Sequence, residues 1–105
     1  MSREFLQEDI HALYELLSEV TDPKQMEDLL EDLCTKKEVE NMAERIRAAK
    51  LLIEGKTYAQ VIEQTEISSA TLSRVSRCIQ YGKGYSALLG QKPQADTGDK
   101  GTASK

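Results

Sequence analysis

Between Ser68 and Arg77 the chain reads SSATLSRVSR, and on a helix Ala70, Ser73, Arg74 and Arg77 fall at i, i+3, i+4 and i+7. One narrow stripe therefore carries a methyl group, a hydroxyl and two guanidinium groups. That combination suits the major groove of a nucleic-acid duplex. Small residues near a helix start allow close approach, hydroxyls donate or accept at base edges, and arginine bonds guanine or phosphate. Ser68, Ser69 and Thr71 add hydroxyls at the start of the same helix, and Lys56, Thr57 and Tyr58 stand upstream where backbone phosphates would be met. The same residues also fit an ordinary amphipathic helical hairpin whose Ser-rich outer face is solvated.

Positioning such a stripe requires a second helix and a tight turn, and residues 57 to 81 supply the pattern of a helix-turn-helix. Thr57 followed by Gln60 makes a capping-box pattern, which opens a short helix from Tyr58 to about Gln64 with the apolar pair Val61 and Ile62. A second helix starts near Ser68 or Ser69 and turns Leu72, Val75 and Ile79 inward. Two residues depart from the usual motif. Glu66 stands where such turns often carry Gly, and a left-handed backbone there would cost a non-Gly residue about 1 kcal/mol. Ile62 stands where a small residue usually lets the helices cross closely. Either the crossing is wider here or the turn takes another conformation.

Three more helices are expected upstream. Leu6, Ile10, Leu13, Leu17 and Val20 form a seam along the first. Asp22 as N-cap and Pro23 at the first helical position open a second, with Met26, Leu29, Leu30 and Leu33 inside and an end near Cys34. Thr35 with Glu38 caps a third, which carries Val39, Met42, Ile46, Ala49 and Ile53 to a stop at Gly55. Gly82 and Gly84 break the last long helix, and Tyr85 to Leu89 add one short turn. Residues 1 to 90 are thus expected to make a single all-α domain of five to six helices, and Gln91 to Lys105 a disordered polar tail. The seams on the first two helices present more apolar surface than one such subunit covers, so a homodimer is expected rather than a compact monomer.

A net charge of −4 is the wrong sign for a duplex binder, but the charge is unevenly distributed. Residues 1 to 44 hold 13 Asp or Glu against four Lys or Arg, whereas residues 45 to 105 hold ten Lys or Arg against five Asp or Glu. Seven of those cations, Arg45, Arg47, Lys50, Lys56, Arg74, Arg77 and Lys83, belong to the motif or its flanking segments. Arg45 and Arg47 also fit a solvated or salt-bridged helix face, with Glu38, Glu40 and Glu44 at helical spacing.

Other functions find less support. No Ser, His and Asp set, paired carboxylates or Gly-rich phosphate loop suggests an enzyme. Cys34 and Cys78 form no CxxC pair and read as reduced, mostly buried thiols, with neither metal nor cofactor implied. His11, the lone histidine, belongs to the polar side of the first helix. The acidic, polar start is no signal sequence and no apolar run approaches membrane-spanning length, so a cytoplasmic protein is expected.

The segment TKKEVENMAERIRAAKLLIEGKTYAQVIEQTEISSATLSRVSRCI resembles the Trp repressor superfamily, and the chain as a whole its YerC/YecD-like branch. The most specific parts are ERIRAAKLLIEGKTY and SSATLSRVSR, in that order and spacing. The resemblance implies an interlocked, all-α homodimer that represses transcription at a double-stranded DNA operator. It also implies a small-molecule corepressor pocket, drawn here from Thr35, Arg45, Arg74 and Cys78. Cys78 replaces a family Ser that helps hold the ligand's amino group, and Val75 replaces a Gly beside the indole. Both replacements argue against tryptophan as the ligand. The turn is one residue shorter than in the tryptophan-sensing member, which aims Arg74 at DNA rather than at a ligand. A second class stays open, a helical protein-interaction module whose acidic first half takes a basic partner and whose motif does not bind DNA.

Overall fold

The structure, a computed structural model, describes residues 3–90. Six helices follow in order: α1 Arg3–Glu19, α2 Pro23–Leu33, α3 Lys36–Ile53, α4 Tyr58–Gln64, α5 Ser69–Tyr81 and α6 Gly84–Leu89. No strand occurs among the described residues, in agreement with the all-α expectation. The polar segment from Gln91 to Lys105 lies outside them. The chain divides into two compact units between Val39 and Glu40.

In the first unit the expected seams form without being buried. Ile10, Leu13, Leu17 and Val20 on the α1 side and Met26, Leu29 and Leu30 on α2 are half-buried, while Leu6 and Leu33 are exposed. Pro23 takes the first helical position of α2. Asp22 does not act as the expected side-chain cap; its backbone is extended and its carboxylate makes no cap bond. Pro23 has no N–H to satisfy, and the Asp22 carbonyl accepts the Met26 N–H at 3.0 Å, the first bond of the helix. Thr35 and Glu38 do form the expected reciprocal box before α3, at 2.7 and 3.1 Å. On the surface His11 meets Glu15 at 3.3 Å, and Lys24 lies 3.2 Å from Asp28 and 3.9 Å from Glu27.

The second unit holds the described core. Ala48 and Ala49 of α3 pack with Val61 of α4, Ile67 of the turn and Leu72, Val75 and Ile79 of α5, and all seven are buried. Removing Val61, Leu72 and Val75 from water contributes roughly 1.5 to 3 kcal/mol each. Small residues on α3 let the next two helices approach its backbone. Gly55 stops α3 with φ 101°, and the Gly55 and Lys56 N–H groups return to the Leu52 and Leu51 carbonyls at 3.0 Å each. This double closure satisfies carbonyls that a helix end otherwise leaves free.

Gly82 ends α5 for a different reason. Its N–H donates to the Cys78 carbonyl at 2.8 Å, and a Cβ there would lie 2.7 Å from that same oxygen. Gly84 opens α6 rather than breaking a helix, and Ser86 Oγ donates to the Ile79 carbonyl at 3.2 Å. Tyr85 and Leu89 pack against the core from this short helix.

Candidate nucleic-acid interface

The α4 to α5 segment is built by its own side chains. Thr57 Oγ1 accepts the Gln60 N–H at 3.1 Å and Gln60 Oε1 accepts the Thr57 N–H at 2.9 Å, as the capping-box pattern predicts. Ser68 is the N-cap of α5; its Oγ accepts the Thr71 N–H at 3.1 Å and donates to Thr71 Oγ1 at 3.0 Å. Both helix starts are fixed before any partner arrives.

The turn from α4 to α5 begins at Thr65. Thr65 leaves α4 in an extended conformation, φ −131° and ψ −179°, so the chain turns without a left-handed residue at that cap. Its Oγ1 donates to the Val61 carbonyl at 2.8 Å and accepts the Ile67 N–H at 3.3 Å. One hydroxyl thus ties the end of α4 to the approach to α5. Sequence reasoning missed Thr65, although a Thr two residues before an N–H that needs a partner is a known hydroxyl-turn signal. Ile62, the second of the apolar pair on α4, is 40% exposed. Val61 beside it is fully buried in the core.

On α5 the inward face is as expected, with Leu72, Val75 and Ile79 buried. Opposite them Ser69, Ala70, Ser73, Arg74 and Arg77 are all exposed. Thr71 is half-buried, and the hydroxyls of Ser68 and Thr57 act as caps. Lys56 and Tyr58 are exposed at the start of α4. Every ion pair among the described residues lies in α1 and α2. Among the described residues Arg45, Arg47, Lys50, Lys56, Arg74, Arg77 and Lys83 have no carboxylate within ion-pair distance, so the alternative left for Arg45 and Arg47 is the solvated face.

The residues implied for a ligand pocket are distributed differently. Thr35 belongs to the first unit, and its hydroxyl accepts the Glu38 N–H. Arg45 and Arg74 are exposed, and Cys78 is half-buried one turn beyond Arg74 on α5. Val75 between them is only 2% exposed, its side chain occupied with core packing.

A family model described as Trp repressor protein matches residues 8–92 of this chain. The chain belongs to the Trp repressor family. The YerC protein of Bacillus subtilis (strain 168), itself uncharacterised, is 32% identical over 90 residues, covering 85% of this chain and 86% of that one. A crystal structure of a candidate Trp repressor from Staphylococcus aureus aligns with TM-score 0.73 at 28% identity, over 85% of this chain and 90% of that one. The all-helical fold is therefore a Trp repressor-like fold, and the family is one of DNA-binding regulators rather than enzymes.

Proposed function

We propose that the protein is a sequence-specific transcriptional repressor that binds a double-stranded DNA operator as a cytoplasmic homodimer. The observation that carries this reading is the outer face of α5, where Ser69, Ala70, Ser73, Arg74 and Arg77 are exposed and the arginines have no carboxylate partner among the described residues. Ala70 and the Ser hydroxyls meet base edges, Arg74 and Arg77 reach guanine or phosphate, and Lys56, Thr57 and Tyr58 meet the neighbouring backbone. Dimerisation is supported by apolar surface. Neither α1 nor α2 has a buried residue among those described, and Phe5, Leu6, Leu16, Leu33, Met42 and Ile46 are exposed. A second copy covering these side chains would also pair two reading helices about one DNA turn apart.

The test is selection of bound duplexes from a random pool by the purified protein, with and without the twenty amino acids. A two-fold symmetric motif supports the regulator, and the Ser73→Ala, Arg74→Ala double variant should lose it while keeping the mass of the dimer. A motif that appears only with an amino acid would assign control to the site around Arg45, Arg74 and Cys78; the buried Val75 side chain argues against a flat indole there. No enriched motif under either condition would refute the regulator and favour a helical interaction module.

A further inference from the structure

Tyr81, the last residue of α5, is 81% exposed and has no hydrogen-bond partner among the described residues. A single exposed aromatic residue decides nothing by itself. Its position does. Ala70, Ser73, Arg74, Arg77 and Tyr81 fall at i, i+3, i+4, i+7 and i+11, so the phenol extends the outward stripe by one further turn. From Ala70 to Tyr81 the helix rises about 16 Å, whereas the major groove is about 12 Å wide. When Ala70 sits against base edges, Tyr81 therefore stands at the groove wall, which is lined with phosphates rather than bases.

The chemistry at that end fits an anion. A phenol donates a hydrogen bond that a phosphate oxygen accepts, Arg77 lies one turn back on the same stripe, and exposed Lys83 follows two residues on. Gly82 leaves the helix in an extended conformation, φ −88° and ψ −174°, so the chain changes direction between Tyr81 and Lys83. We infer that Tyr81, with Lys83 beside it, is a phosphate-binding residue that clamps the DNA backbone at the C-terminal end of the reading helix. Resting on the operator-binding reading above, it adds a contact to that interface that carries affinity and no sequence information.

Duplex selection and salt titration of wild type, Tyr81→Phe, Tyr81→Ala and Arg77→Gln test this together. Tyr81→Phe should weaken operator binding about tenfold with the selected motif unchanged. Its salt dependence should match wild type because the lost donor is neutral, whereas Arg77→Gln should flatten the slope by about 2 in a dimer. The denaturation midpoint of both Tyr81 variants should stay at the wild-type value, as expected for an exposed side chain. Wild-type affinity in both Tyr81 variants, a changed motif, or a changed dimer mass would each overturn the assignment while leaving the operator reading intact. Failure of the wild-type protein to select any motif would overturn the reading itself, and the clamp with it.

Discussion

Replacing Thr65 with Val removes one hydroxyl from the turn while keeping a β-branched side chain of nearly the same shape. Two hydrogen bonds are lost, one donated to the Val61 carbonyl at 2.8 Å and one accepted from the Ile67 N–H at 3.3 Å. The Val61 carbonyl keeps the Thr65 N–H at 3.0 Å, so that end remains satisfied. Ile67 is 7% exposed, and its N–H loses the side-chain oxygen that serves it. A typical net hydrogen bond is worth about 1 kcal/mol, and the accepted bond is long, so the expected loss is about 1 to 2 kcal/mol. For a domain of this size that corresponds to a fall in Tm of roughly 4 to 15 °C. Urea unfolding at fixed protein concentration would read it as a lower midpoint at constant slope, and Thr65→Ser should recover most of the loss. An unchanged midpoint in Thr65→Val, or a Ser variant as weak as Val, would refute the claim that this hydroxyl holds the turn.

Gly55→Ala should cost about 1 kcal/mol in the same assay from backbone strain alone, since φ is 101° and the space for a methyl group is open. Gly82→Ala should instead perturb structure locally, because its Cβ would press on the Cys78 carbonyl at 2.7 Å; amide exchange in α6 should rise more than in α4. Ile46→Glu places a charge on a side chain that is 44% exposed, so it should barely change a monomer, but sedimentation should show the proposed dimer dissociating. With Lys56, Arg74 and Arg77 each meeting a phosphate in both subunits, the logarithm of operator affinity should fall with that of salt concentration at a slope of about −5.

Much of this fold could be read from residues that act locally. Thr57 with Gln60, Thr35 with Glu38 and Ser68 at the start of α5 each satisfy donors within three or four residues, so their roles depend little on the rest of the chain. Gly55 is equally local. The errors arose where tertiary packing or a competing neighbour decides. Ile62 follows Val61 and is just as apolar, so the short apolar pair alone does not say which of the two the core takes, and it is Val61 that is buried. Asp22 has the right type for a cap, yet its carboxylate makes no cap bond, and nothing local to the sequence distinguishes it from Thr57 or Ser68, which do. The outer stripe of α5 was visible because its inward counterpart repeats so regularly. Which of its hydroxyls remain free was not, because Ser68 and Thr71 bond to each other.

The charge distribution explains how an acidic chain can present a cationic face. Lys24 sits between Glu27 and Asp28 on α2, so the acidic first unit takes up one of its few cations in its own ion pairs. In the second unit Glu63 and Glu66 are exposed, yet neither lies within ion-pair distance of Arg74 or Arg77. A guanidinium already bound to a carboxylate would have to give up that partner before meeting a phosphate, and the exchange would largely cancel the gain. With no carboxylate partner among the described residues, these arginines give up water and counterions on binding, which is where the affinity of phosphate contacts arises. The net charge of −4 thus bears on approach to DNA through long-range repulsion of the acidic unit, and low salt, which strengthens both effects, sets them against each other. Neutralising Glu63 and Glu66 together as Gln should therefore raise operator affinity by a few-fold, with the gain shrinking as salt screens it. An equal gain at low and high salt would mean that the two carboxylates act through structure rather than charge.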